Sequence, residues 1–189
     1  MKEGLTILER IYIFFKIQLM DQFLARKLLS YKRIYTYLAY SSKANLGKGV
    51  RFNGAWNGLQ SNVSIGDYSS FNPGARFIGK GPVDIGRYLH CGHRLTIIST
   101  NHRYEDADFI PYDKVRVHKE VRIKDFVWLG DSVTIVPGIT IEEGAIVTAG
   151  SVVVKNVPRG GIVGGNPAKL IKYRNLEAFD RHKKAGNYF

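Results

Sequence analysis

Every sixth residue from Ile123 to Val153 is aliphatic: Ile123, Leu129, Ile135, Ile141, Val147 and Val153. The fifth residue of each hexad is small or aliphatic too: Val127, Val133, Ile139, Ala145, Ser151 and Val157. A period of six fits neither a helix nor an alternating strand. It marks a chain built by stacking short repeated units. The same register runs upstream through Leu46 and Phe52, then Leu59, Ile65, Phe71 and Phe77, then Ile85, Cys91 and Ile97. Residues 103–122 break it, and it resumes at Ile123. Such a chain is predicted to wind into a β-helix in which each coil buries its apolar side chains only against its neighbours. At three hexads per coil, the 90 residues of intact pattern make about five coils.

Charge divides the chain differently. Its formal net charge is +12, of which residues 1–44 carry +5 and residues 169–189 carry +4. The basic excess therefore lies in the two flanks and suits an anionic cofactor or an anionic membrane surface. Nucleic acid is excluded as a partner because no nucleic-acid-binding motif accompanies the charge. The single cysteine, Cys91, rules out an internal disulfide, and its place in the hexad makes it a small buried hydrophobe. No secretory signal is recognisable, and the apolar run Ile11 to Phe15 is too short to span a bilayer. A cytoplasmic protein is expected, peripheral to the inner face of the membrane if it touches one.

Three segments lie outside the repeat. Residues 1–44 read as helical, with Leu5, Leu8, Tyr12, Phe15 and Leu19 at three- and four-residue spacing. This segment is expected to cap the open end of the solenoid, and its basic and aromatic residues suit contact with anionic lipid. The repeat domain is assigned to residues 45–168, with the excursion 103–122 as a functional loop. Residues 169–189 are expected to form a basic helix with Leu170, Ile171, Leu176 and Phe179 on its apolar face.

Several ordered segments accompany the hexads: Val127-Trp128-Leu129-Gly130, Val136-Pro137-Gly138, Ala149-Gly150-Ser151-Val152-Val153, Lys155-Asn156-Val157-Pro158 and Gly165-Asn166-Pro167-Ala168-Lys169, with Thr100-Asn101-His102 just before the loop. Together they closely resemble the hexapeptide-repeat acyltransferases, in the branch of sugar O-acetyltransferases and xenobiotic acetyltransferases. The resemblance spans about residues 46–174. It implies an all-β solenoid, a left-handed parallel β-helix, which is an exception to right-handed crossovers. It further implies a homotrimer with acetyl-CoA as donor and no metal, and active sites in clefts between subunits.

The resemblance places the catalytic base at His102. An imidazole with an ordinary pKa of about 6.5 is suited to take a proton from an acceptor hydroxyl near neutral pH. Asn72 and Asn101 fall at acceptor-binding positions; an amide offers both a donor and an acceptor to a sugar. Trp128, Asp131, Ala149, Val154, Lys155, Lys169 and Lys172 fall where such enzymes meet coenzyme A. The small residues admit the pantetheine arm, and the lysines suit its phosphates. The sequence departs from the pattern in having Asp131 where some relatives carry Ser, and Lys169 and Lys172 where some carry Arg. The residue that orients His102 stays open at this point among Glu105, Asp106 and backbone carbonyls.

The reading is an acetyl-CoA-dependent O-acetyltransferase with a saccharide acceptor, in cell-surface polysaccharide biosynthesis. Three alternatives stand beside it. An amino-sugar N-acetyltransferase would use the same scaffold. A zinc protein of the carbonic-anhydrase type would draw its ligands from His90, His93 and His102. A non-catalytic scaffold would use only the basic ends.

Overall fold

The computed structural model describes residues 43–54 and 57–189. The helical cap expected for residues 1–44 lies outside the described residues, except for Lys43 and Ala44. The described chain is a left-handed parallel β-helix of about six turns with one C-terminal helix. Strands of two to five residues stack into three faces. The first face holds β1 (Asn45–Leu46), β3 (Val63–Ile65), β6 (Val83–Ile85), β11 (Val121–Ile123) and β14 (Thr140–Ile141). The second runs through β2 (Arg51–Phe52), β4 (Ser70–Phe71), β7 (His90–Cys91), β12 (Trp128–Leu129), β15 (Ile146–Val147) and β17 (Gly161–Gly164). The third holds β5 (Arg76–Ile78), β8 (Thr96–Ile98), β13 (Thr134–Ile135) and β16 (Val152–Val153).

The hexad explains this packing. Register is kept from coil to coil, as in Phe71 opposite Cys91, Cys91 opposite Leu129 and Leu129 opposite Val147. The apolar side chains that open the hexads are buried from Phe52 to Val153, and so are the fifth-position residues from Val127 to Val157; Asn101, at the fifth position just before the excursion, is exposed. Burial pushes the Cys91 thiol up to about 12, so it packs as the hydrophobe its register predicted. Ser69 and Ser151 stand at fifth positions yet are fully buried. Each is satisfied: the Ser69 hydroxyl donates to the Gly86 carbonyl (2.9 Å) and accepts from the Leu89 N–H (3.1 Å). Ser151 donates to the Thr148 carbonyl (2.7 Å) and accepts from the Gly165 N–H (3.2 Å).

Two features differ from the sequence reading. A sixth turn exists, because Val157 bridges to Ile141 and β17 pairs with β15 beyond the last clear hexad. Residues 169–184 are also not one helix. Lys169–Tyr173 form β18, which folds back antiparallel on β17. The helix α1 covers only Leu176–Lys184, with Asn175 as its N-cap accepting from the Ala178 N–H at 2.9 Å. Leu170 and Ile171 are exposed, and Phe179 is the buried residue of the helix. Hydrogen bonding along the open edge of β17 outweighs the helical spacing of 169–171. Among the described residues, no helix is long and apolar enough to cross a membrane.

Candidate active site

The excursion leaves the third face after β8 and returns to β11. Its base is a two-stranded antiparallel ribbon of β9 (Thr100–His102) and β10 (Arg116–His118), with His102 opposite Arg116. The arm between them is closed by one ion cluster. Asp113 is buried, and its carboxylate accepts from the Arg103 Nε (2.6 Å) and the Val115 N–H (2.8 Å). Arg103 also bridges to Asp108 at 2.9 Å. Backbone bonds from Arg103 N–H to the Val115 carbonyl (3.0 Å) and from Asp113 N–H to the Arg103 carbonyl (3.2 Å) complete the closure.

That closure sets the environment of His102. The Asp113 carbonyl lies 3.3 Å from His102 Nδ1, and the Arg116 guanidinium meets Nε2. The Tyr112 ring lies over the imidazole, with centroids 3.7 Å apart. A guanidinium only donates and a carbonyl only accepts. Nδ1 therefore carries the proton and Nε2 the lone pair, a tautomer assigned from these partners. An imidazole so held can accept a proton at Nε2 while the Asp113 carbonyl fixes its orientation. The orienting group is thus a backbone carbonyl, not Glu105 or Asp106. Arg116 and Tyr112 escaped the sequence reading as site residues. The pairing of the two ends of the arm is what brings Arg116 to His102, and the signal available was only that an arm leaving a solenoid must return to it.

The remaining candidates occupy several places. Asn101 is adjacent to His102 and accepts from its backbone N–H (2.9 Å). Asn72, Asp131 and Ala149 lie in one column at the corner between the second and third faces. Coil-to-coil hydrogen bonds link this column, including Arg94 N–H to the Pro73 carbonyl, Ser132 N–H to the His93 carbonyl and Gly150 N–H to the Asp131 carbonyl. Asn72 accepts from Asn53 Nδ2 at 3.1 Å. The Asp131 carboxylate accepts from the His93 N–H at 2.7 Å, and this bond leads in holding its pKa below the ordinary carboxylate value. Asp67 and Asp125 accept in the same way from Lys48 and Arg87 one coil earlier. The Asp131 carboxylate therefore serves coil stacking in the chain as it stands. A Cβ on Gly130 would fall 2.5 Å from the Ala149 nitrogen, so this close approach of two corners requires glycine.

Val154, Lys155 and Lys169 come together around a pocket of about 350 Å³ beside the last coil. Lys172 is exposed on β18, opposite Ile162. Trp128 is 58% exposed on β12 and lines a cleft of about 710 Å³ between the second face and α1, with Tyr88, Phe126 and Phe179. The three histidines considered as zinc ligands have separate partners. His90 meets Ser70 and the Phe189 main-chain oxygen, His93 meets Asp131, and His102 meets Asp113 and Arg116. Among the described residues, no three His, Cys, Asp or Glu side chains gather in a group able to hold a metal ion.

No family model matches the chain, and no curated protein does. Solved structures do. A hexapeptide-repeat acetyltransferase from Vibrio cholerae O1 biovar eltor, crystallised with acetyl-coenzyme A, is 24% identical with a TM-score of 0.65, over 76% of its length and 74% of this chain. A maltose O-acetyltransferase from Clostridium difficile 630 is 26% identical with a TM-score of 0.57, over 66% of its length and 69% of this chain. An N-acyltransferase from Bacillus cereus, crystallised as a mutant with dTDP and coenzyme A, is 20% identical with a TM-score of 0.61, over 95% of its length and 79% of this chain. The chain carries the fold of the hexapeptide-repeat acetyltransferases.

Proposed function

We propose that the protein is an acetyl-CoA-dependent acetyltransferase whose acceptor is a saccharide hydroxyl and whose base is His102. The observation that carries this reading is the seat of His102 between the Asp113 carbonyl and the Arg116 guanidinium at the root of the arm, on a fold shared with an enzyme crystallised with acetyl-CoA. Support for a sugar hydroxyl comes from the maltose O-acetyltransferase. The N-acyltransferase keeps an amine acceptor as the second reading. In the first, Nε2 takes the proton of the acceptor hydroxyl as its oxygen attacks the thioester carbonyl. The tetrahedral adduct collapses, the carbon–sulfur bond breaks, and the imidazolium returns the proton to the departing CoA thiolate.

Coenzyme A is assigned to Trp128, Ala149, Val154, Lys155, Lys169 and Lys172, with Asp131 bordering the same column. The fit rests on the chemistry of these groups. Lys155 and Lys169 flank a pocket walled by Val154, which suits a phosphate beside an apolar arm. A Cβ on Gly150 would meet no heavy atom within 4 Å, so the backbone beside Ala149 is open to a narrow ligand. Asn72 and Asn101 are assigned to the acceptor. In a homotrimer, clefts between subunits would unite surfaces that one chain presents separately. A cytoplasmic enzyme acting on a glycan at the inner face of the membrane suits the basic flanks.

The test is acetyl transfer from acetyl-CoA to a panel of saccharides, each with its amino-sugar counterpart. His102→Ala is expected to lower turnover by about 10²–10⁴-fold, the usual contribution of a general base. Full activity of that variant would remove His102 from the chemistry, and transfer confined to amino sugars would establish the second reading.

A further inference from the structure

Arg116 occupies the atom that the proposed reaction needs. Its guanidinium donates to His102 Nε2, the only free lone pair of that imidazole. An acceptor hydroxyl cannot reach Nε2 until Arg116 leaves. No carboxylate of the arm draws it away: Asp113 and Asp108 are both engaged by Arg103, Glu105 and Asp106 make no ion pair with Arg116, and Arg116 is exposed with no ion pair among the described residues. A neutral imidazole is a weak partner for a guanidinium compared with a carboxylate or phosphate, which it binds through two parallel charged hydrogen bonds. An anionic group arriving within reach of His102 therefore releases the lone pair and gains a better partner for Arg116 at once.

We propose that the acceptor carries an anionic oxygen group, a carboxylate or a phosphate ester, close to the hydroxyl that is acetylated, and that this group pulls Arg116 off His102. This rests on His102 being the base of the proposed transfer. Arg116 is then a specificity residue: it masks the base against water and neutral sugars and uncovers it for an acidic sugar. The anion belongs to the acceptor rather than to coenzyme A. Nε2 is where the attacking hydroxyl must come, whereas the lysine pocket of Lys155 and Lys169 lies beside the last coil. The engaged Asp113 keeps the rest of the arm in place while Arg116 moves, because their contacts are separate.

The experiment reads the lone pair itself. Diethyl pyrocarbonate acylates an unprotonated, accessible imidazole nitrogen, and peptide mass spectrometry reports the rate at His102, with exposed His182 as internal reference. In the unmodified chain His102 is expected to react slowly. Arg116→Gln is expected to raise its rate about tenfold, the scale of one charge-assisted hydrogen bond, with His182 unchanged. Methyl glucuronide and glucose 6-phosphate are each added to the unmodified chain, against methyl glucoside and sodium chloride at equal ionic strength. Acceleration by the glucuronide alone identifies a carboxylate, and by the phosphate alone a phosphate ester. The proposal is overturned if His102 reacts as fast with Arg116 as without it. It is overturned equally if neither sugar anion accelerates labelling, or if only coenzyme A does. The anion arm decides even where the variant loses its fold. Labelling needs no acetyl transfer, so its failure leaves the acetyltransferase reading intact, and a failure to bind coenzyme A leaves the labelling result intact.

Discussion

The carboxyl of Asp113 lies where burial alone would raise its pKa. The Arg103 hydrogen bond, the Val115 N–H and the Arg103 charge together outweigh that desolvation and hold it below the ordinary value. A depressed carboxyl stabilises the closed arm fully above its unfolded pKa of about 3.9 and loses that contribution as pH falls through the lower folded value. The Val115 amide resonance is therefore expected to titrate with a midpoint below about 3.9, and Asp113→Asn to abolish the transition. A midpoint at or above the unfolded value would deny Asp113 this anchoring role. At this scale the sequence was informative about His102 and silent about its setting. Thr100-Asn101-His102 stands beside a broken repeat, which is what singles out His102 as the proposed base. Neither Asp113 nor Arg116 can be placed from spacing, because an arm of irregular backbone has no period from which to read contacts.

At the scale of elements, one corner of the prism explains how α1 is held. The third residue after each first-face aliphatic adopts a left-handed conformation in all six coils: Gly49, Tyr68, Tyr88, Phe126, Gly144 and Gly160. Tyr68, Tyr88 and Phe126 stack at 5.2 Å intervals along it. The two last coils carry glycine instead, and the vacated seats are filled from the C-terminal segment. A Cβ on Gly144 would fall 2.8 Å from the Phe179 ring, and one on Gly160 2.4 Å from Leu176. Gly144→Ala should cost about 1–2 kcal/mol for the left-handed backbone, and it should also unseat Phe179. Gly150→Ala, also at positive φ but facing open space, should show the backbone cost alone. Thermal denaturation of the pair checks this; equal losses would mean that the Phe179 seat contributes nothing. The aromatic-to-glycine switch is present in the sequence, but spacing alone gives it no meaning. Its meaning depends on the stacking of residues 16 to 38 positions apart, and on where the chain goes after the last coil. The helical reading of Lys169–Tyr173 failed for a related reason: the free edge of β17 exists only once the sixth turn has formed.

For the whole molecule, repetition made the fold legible. A buried residue every sixth position leaves a stacked prism as the arrangement that satisfies every coil, and each apolar repeat residue from Phe52 to Val153 is buried, on both sides of the excursion. The site was legible only as a set of names. Trp128 beside α1, the column of Asn72, Asp131 and Ala149, and the lysine pocket lie apart along the sequence and on different surfaces, and the period carries no information about which surfaces meet. The proposed coenzyme A site unites Trp128, Asp131, Ala149 and the lysines, and the proposed acceptor adds Asn72. Calorimetric titration of the full chain with coenzyme A, beside His102→Ala, tests that claim most directly. Saturable binding of similar affinity by both is the predicted result, since the proposed role of His102 is to move the proton and not to hold the cofactor. Absence of binding by the unmodified chain at millimolar coenzyme A would contradict the acetyltransferase reading and leave only the prism.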